Sequence, residues 1–235
     1  MLRSAFGEAN DHGFRRDRGT GPLMGSRAEG YLDAVYGAKS REELRRLYDD
    51  WAAHYDEDVT GFGYAYPALM AGLVGRHVRD PAARLLDAGC GTGLIGSMFR
   101  ALGYTNLAGL DLSAGMLERA RGRGIYQELL QGVLGEPLAL ASDRFDAVVC
   151  AGVLTLGHAR PDSLDELIRV TRSGGLLIFT LSAPVYFEHG FKDRLDALQA
   201  AGRIREVEHS GEIQALPGAP AEAALRCRGH VFEVL

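Results

Sequence analysis

From residue 31 to 78 apolar positions recur every three or four residues, the period of helices packed on one face. Ser40 and Glu43 stand three apart, the spacing of a capping box, and open a helix carrying Leu44, Leu47, Tyr48 and Trp51. Pro67 suits the first turn of another helix with Leu69, Met70, Leu73 and Val74. After Pro81 the rhythm changes to short apolar runs alternating with amphipathic stretches. Strands are predicted over 84–87, 106–111, 126–130, 145–151, 175–181, 204–209 and 229–234. Between them lie predicted helices over 94–101, after a Ser113 cap through Met116, Leu117 and Ala120, over 163–171 and over 191–201. Ser163 and Glu166 repeat the capping-box spacing. Strands alternating with helices imply a mostly parallel sheet covered on both faces, an α/β fold.

Length refines this picture to one large domain, or one domain with a small cap, in 235 residues. Residues 1–30 hold no apolar stretch of signal-peptide type and are expected as a flexible tail or an upstream extension of the reading frame, with Met24 as a second plausible start. Residues 31–80 form the helical cap and residues 81–235 the sheet domain. A net charge of −5 disfavours nucleic acid and anionic lipid as partners. No apolar run approaches the roughly 18 residues that span a bilayer. Cys90, Cys150 and Cys227 are scattered, with neither metal-ligand nor disulfide spacing, which fits a reducing, cytoplasmic setting and no metal.

Chemistry concentrates in Leu85-Leu86-Asp87-Ala88-Gly89-Cys90-Gly91-Thr92-Gly93-Leu94. Glycines at 89, 91 and 93 permit a tight strand-to-helix turn and close approach of a ligand to bare backbone. Asp111 ends the next strand about 20 residues on, where a carboxylate accepts from both ribose hydroxyls. Residues 91–96 also satisfy the bare dinucleotide pattern G-x-G-x-x-G. Charge argues against that ligand, because a pyrophosphate would sit beside Asp87 with no Lys or Arg in the loop. S-adenosylmethionine carries an ammonium and a sulfonium and no phosphate, so it suits the same carboxylate.

Leu85 to Gly93 resembles motif I of class I S-adenosylmethionine-dependent methyltransferases, and Gly109-Leu110-Asp111-Leu112-Ser113 resembles their acidic motif. Asp146-Ala147-Val148-Val149-Cys150-Ala151 is similar to their fourth strand beside the methyl group. Arg172-Ser173-Gly174-Gly175 looks like their turn into the fifth strand, without its proline. More narrowly, Tyr48-Asp49-Asp50-Trp51-Ala52, Tyr55-Asp56, Gly115-Met116-Leu117-Glu118 and Gly124-Ile125-Tyr126-Gln127 resemble the methyltransferase-like family of the Williams–Beuren syndrome region 27 protein.

That resemblance implies a Rossmann-like doubly wound sheet of about seven strands, mostly parallel, with an antiparallel C-terminal hairpin. It implies Gly89, Cys90, Gly91 and Gly93 under the methionine moiety, Asp87 attracting its ammonium, and Asp111 on the ribose. Leu112 and Met116 would pack on adenine. Where relatives carry an acid after the third strand this chain has Gly132-Val133-Leu134-Gly135, leaving adenine to the backbone of Val133 and Leu134. Cys150 would stand beside the methyl group or serve as apolar filler. His158, after the fourth strand, is the candidate base or substrate contact, with a surface loop as its plainer reading. Tyr186, Glu188 and His189 fit either substrate contacts or loop residues. Tyr48, Trp51 and Tyr55 fit either helix packing or a lid, with Tyr55 placed to reach the cofactor.

The sequence therefore points to methyl transfer from S-adenosylmethionine to a small-molecule acceptor by in-line displacement. The fourth strand continues as Ala151-Gly152-Val153-Leu154, without the Asn/Asp-Pro-Pro-aromatic signature of amino-group nucleic-acid methylases. The alternatives are an enzyme that moves or cyclises another part of the cofactor, a non-catalytic binding module, and, more distantly, a nicotinamide oxidoreductase. Neither the acceptor nor the oligomeric state is encoded in these motifs.

Overall fold

The computed structural model describes residues 21–155, 159–222 and 224–235. Four helices come first: α1 (Gly21–Gly37), α2 (Arg41–Trp51), α3 (Tyr55–Gly61) and α4 (Tyr66–His77). The alternating region follows as β1 (Leu85–Ala88), α5 (Leu94–Ala101), β2 (Leu107–Asp111), α6 (Ala114–Gly122), β3 (Glu128–Gln131) and β4 (Phe145–Cys150). It continues as α7 (Ser163–Val170), β5 (Thr171–Ser182), α8 (Ala183–Glu188), α9 (Phe191–Ala200), β6 (Ile204–His209) and β7 (Cys227–Val234). The seven strands lie in the order β3-β2-β1-β4-β5-β7-β6. The first five in that order run parallel, and β7 is antiparallel to both β5 and β6. Strand order reverses at β1 and β4, and above their carboxyl ends lies the crevice where open α/β sheets bind ligands.

Alternation along the strands sorts the core. Leu85, Leu107, Val149 and Ile178 face α4 and α5, packing on Met70, Leu73, Ile95 and Phe99. Leu86, Leu110, Val148 and Phe179 face the other way, onto Leu164, Leu167, Leu195 and Leu198. A third cluster belongs to the cap. Trp51, 1% exposed, stacks with Tyr31 at 5.4 Å and meets Tyr55 edge-on at 4.8 Å. Its indole N–H donates to Asp58 at 2.9 Å, and Arg27 holds the other oxygen of that carboxylate at 2.5 Å.

Several local expectations shift. At the start of the described chain, α1 reaches back to Gly21, with Ala28 in the cap cluster and Arg27 paired to Asp58. The third strand starts at Glu128 rather than at Tyr126, whose ring folds back beneath the glycine loop. The fifth strand begins at Thr171, because its pairing with β4 jumps from Thr171 to Leu176 and leaves residues 172–175 as an excursion. Ser40 caps α2, accepting from the Glu43 amide at 3.1 Å. Ser163 caps nothing. It sits inside the first turn of α7, its Oγ buried with no partner among the described residues, while Glu166 binds the Leu138 amide and Arg169 instead.

That difference has a measurable sign. A capping serine lost to alanine costs about 1 kcal/mol, whereas deleting an unsatisfied buried hydroxyl relieves its desolvation cost. Ser163→Ala is expected to leave the urea midpoint unchanged or raise it. A drop equivalent to about 1 kcal/mol would restore the capping role.

Candidate functional site

The cavity over β1 and β2 is assembled from four pieces of chain. The turn after β1 supplies Gly89, Cys90, Gly91 and Thr92; the end of β2 supplies Asp111 and Leu112; α6 supplies Met116. The segment after β3 supplies Gly132, Val133 and Leu134, and the cap closes the far side with Arg41, Leu44, Tyr48, Tyr55 and Tyr64. Gly91 is bare where it lines this space: a Cβ there would meet no protein atom within 4 Å, so its missing side chain is room for a ligand. Asp111 accepts from the Gly91 amide at 2.8 Å and the Ser113 amide at 2.9 Å, one on each oxygen. Each carboxylate oxygen has a second lone-pair site, so both can still accept from hydroxyls. Burial pushes the Asp111 carboxyl up, against the pull of those amides.

Asp87 is placed differently from expectation. It points to the α5 side of the sheet, 2% exposed, and does not line the cavity. Tyr126 donates its phenol to Asp87 Oδ2 at 2.6 Å, and the Gly96 amide donates as well. Gly96 is what lets the tyrosine in, because a Cβ there would stand 2.1 Å from the Tyr126 oxygen. The third glycine of the apparent dinucleotide pattern thus makes space for a tyrosine. Burial pushes the Asp87 carboxyl up to about 7, against the pull of these donors.

Two more candidates also fall outside the cavity wall. Gly93 is the left-handed N-cap of α5, beside Arg123 and Tyr126. Cys150 is fully buried in the core against the α7 face, where the thiol is filler and its pKa is raised by desolvation. His158 lies outside the described residues. Tyr186 stacks on His230, and neither it, Glu188 nor His189 lines this cavity.

The cap is bound down by two carboxylates that motif reading did not single out. Asp49 accepts from the Ser113 hydroxyl at 2.6 Å and the Gly115 amide at 2.9 Å, at the N-terminus of α6. Asp56 accepts from the Thr92 hydroxyl at 2.5 Å and pairs with Arg123, whose Nε donates to the Thr92 carbonyl at 2.6 Å. Both acids sit in the quoted Tyr48-to-Asp56 stretch, so the signal was present, but their partners are over 30 residues away in sequence.

A second cavity, of about 320 Å³, adjoins the first. Both are lined by Tyr48, Tyr55, Tyr64 and Gly152. The second runs outward between α1, the start of α8 and the segment before β7, reaching Tyr36, Val185, Leu216 and Glu222. Burial raises the phenol pKa of Tyr48, Tyr55 and Tyr64 well above the ordinary value, so these groups stay protonated at neutral pH.

Comparison with known proteins agrees with this geometry. A family profile described as "Methyltransferase domain" matches residues 86–179, from β1 into β5. Human methyltransferase-like protein 27 is 37% identical over 175 residues, covering 72% of this chain and 71% of that protein. The chain belongs to the class I S-adenosylmethionine-dependent methyltransferases. A malonyl-[acyl-carrier protein] O-methyltransferase of Serratia marcescens is 38% identical over 136 residues, covering 57% of this chain and 51% of that protein, so the match spans about half of that relative. In fold, the methyltransferase superposes on a Thermotoga maritima S-adenosylmethionine-dependent methyltransferase described as a possible histamine N-methyltransferase, with a TM-score of 0.56. Identity there is 18%, over 78% of this chain and 97% of the other.

S-adenosylmethionine fits the residues present. Asp111 offers free acceptor positions for ribose hydroxyls, Leu112, Met116 and Leu134 offer apolar walls for adenine, and the glycine loop carries no cation to repel a sulfonium.

The raised pKa of Asp87 sets a pH dependence. Between about 4, its value in an unfolded chain, and about 7, the folded methyltransferase holds one more proton than the unfolded chain at this site. This contribution to stability is therefore largest below pH 4 and is lost as pH rises towards 7. Other groups titrate in the same window, among them His230, pushed down to about 4 by burial, so the readout is a difference. The melting temperature of Asp87→Asn relative to wild type should be higher at pH 8 than at pH 5. An equal offset at the two pH values would mean that Asp87 is ionised in the folded protein throughout.

Proposed function

We propose that this methyltransferase moves the methyl group of S-adenosylmethionine to a small molecule, free or presented on a carrier, held in the second cavity. One observation carries the reading: the two cavities share Tyr48, Tyr55, Tyr64 and Gly152, so a space of small-molecule size lies directly beside the cofactor space. Its described walls hold no Lys or Arg, which with the acidic net charge supports a partner other than nucleic acid. Among the described residues no helix is long and apolar enough to cross a membrane. The three unpaired, buried thiols support a reducing compartment such as the cytoplasm.

When bound, S-adenosylmethionine supplies a methyl carbon already activated by its sulfonium. The work left to the chain is alignment and exclusion of water, and orientation of this kind contributes roughly 7–11 kcal/mol. Asp111 fixes the ribose, and the tyrosines between the cavities frame the path in line with the reacting bond. Their hydroxyls donate hydrogen bonds but are too basic as phenolates to act as the base at neutral pH. His158 stays our candidate for a base or substrate contact, in the loop after β4.

The experiment is product analysis with the full chain, S-adenosylmethionine and a panel of small acceptors. S-adenosylhomocysteine and a methylated acceptor are expected, and methylthioadenosine in their place would mean that another carbon of the cofactor is transferred. In the same preparation Asp111→Ala should weaken S-adenosylhomocysteine binding about tenfold to over a hundredfold while the fold survives, because a charged hydrogen bond contributes roughly 1.5–3 kcal/mol. Unchanged affinity in calorimetry would reduce Asp111 to a structural cap.

A further inference from the structure

Among the described residues lining the second cavity, one carries a formal charge, at its outer end. Glu222 closes a short 3-10 turn, Pro220–Glu222, and lines the cavity while only 6% exposed. It forms no ion pair with any described Lys, Arg or His. Its partner is the Tyr36 hydroxyl, a neutral donor at the cavity's outer rim, where Tyr36 is 40% exposed. A buried carboxylate without a counter-ion is costly, and one phenol leaves its charge uncompensated. The rest of the wall is aromatic and aliphatic, and its polar tips are largely engaged with one another. Tyr55 and Tyr64 hydrogen-bond to each other, and Tyr66 bonds to Thr180 and Cys227.

We infer that this cavity selects an apolar acceptor bearing one protonated nitrogen, seated against the Glu222 carboxylate between aromatic rings. The inference rests on the methyl-transfer reading above and names the acceptor class for that site. An ammonium supplies the charge that Glu222 lacks, and the ring faces of lining tyrosines attract the same cation through their quadrupoles. The apolar remainder of the molecule fills the space along Val185 and Leu216. An acceptor with a free carboxylate meets the opposite situation. It faces a like charge, with no cation among the described lining residues to offset it. Glu222 is thereby an anchoring residue for the acceptor.

The test uses the full chain saturated with S-adenosylhomocysteine and three probes of near-equal shape: phenethylamine, phenethyl alcohol and phenylacetate. In calorimetry the amine should bind about tenfold or more tighter than the alcohol, and phenylacetate should show no saturable binding. Glu222→Gln should cost the amine about tenfold or more while leaving S-adenosylhomocysteine affinity as in wild type and the melting temperature equal or higher. Phenylacetate binding as tightly as the amine, no amine binding, or an unchanged amine affinity in the Gln variant would each overturn the inference. If the variant fails to fold, the charge series on wild type decides alone. Failure of the wild-type chain to bind S-adenosylhomocysteine would instead sink the methyl-transfer reading, so the two failures are told apart.

Discussion

Two carboxylates of the helical cap hold this active site together. Asp49 grips the N-terminus of α6 and Asp56 grips the glycine loop through Thr92 and Arg123, so the cap is tied to the sheet on both sides of the cofactor cavity. Hydrogen bonds with an ionised partner contribute roughly 1.5–3 kcal/mol each, twice a neutral pair, which adds directional ties to the apolar packing between the two layers. Everything downstream depends on that joint. Tyr48 and Tyr55 line both cavities, so a cap set an ångström higher would change the two together.

The site is also organised around buried carboxyl groups. Asp87, Asp111 and Glu222 are each less than a tenth exposed, and none pairs with a cation among the described residues. Amides and phenols hold them instead: Gly91 and Ser113 on Asp111, Tyr126 on Asp87, Tyr36 on Glu222. Such donors lower the cost of a carboxylate without neutralising it. A ligand carrying an ammonium and a sulfonium completes the balance at the inner end of the crevice, and burial keeps the field strong by excluding water.

The elements that bend expectation do so for packing reasons. Tyr126 leaves the third strand because the glycines at 96 and 109 open a niche against the loop, and its hydroxyl satisfies Asp87 there. Glu166 abandons the helix terminus because the Leu138 amide and Arg169 lie within reach across the loop after β3. In each case a local signal with a weak energy yields to a tertiary partner with a stronger one.

From its sequence alone the chain declared the alternating strands and helices, the parallel sheet, the glycine loop and the spaced Asp111. Those features rest on hydrophobic period and on short spacings, which are local properties of the chain. Tyr55, Leu112, Met116, Val133 and Leu134, which line the first cavity, were named through the family resemblance, since each lies within a few residues of a strand end or motif. Tertiary structure alone decided that Asp87 and Cys150 are turned away from the cavity, because which face a strand residue uses is set by the layers packed on it. It alone brought Asp49 and Asp56 to their partners, and Tyr36 to Glu222, 186 residues later in the chain. Pairings across such distances leave no periodic trace in the sequence, and they become visible only when the chain has closed on itself.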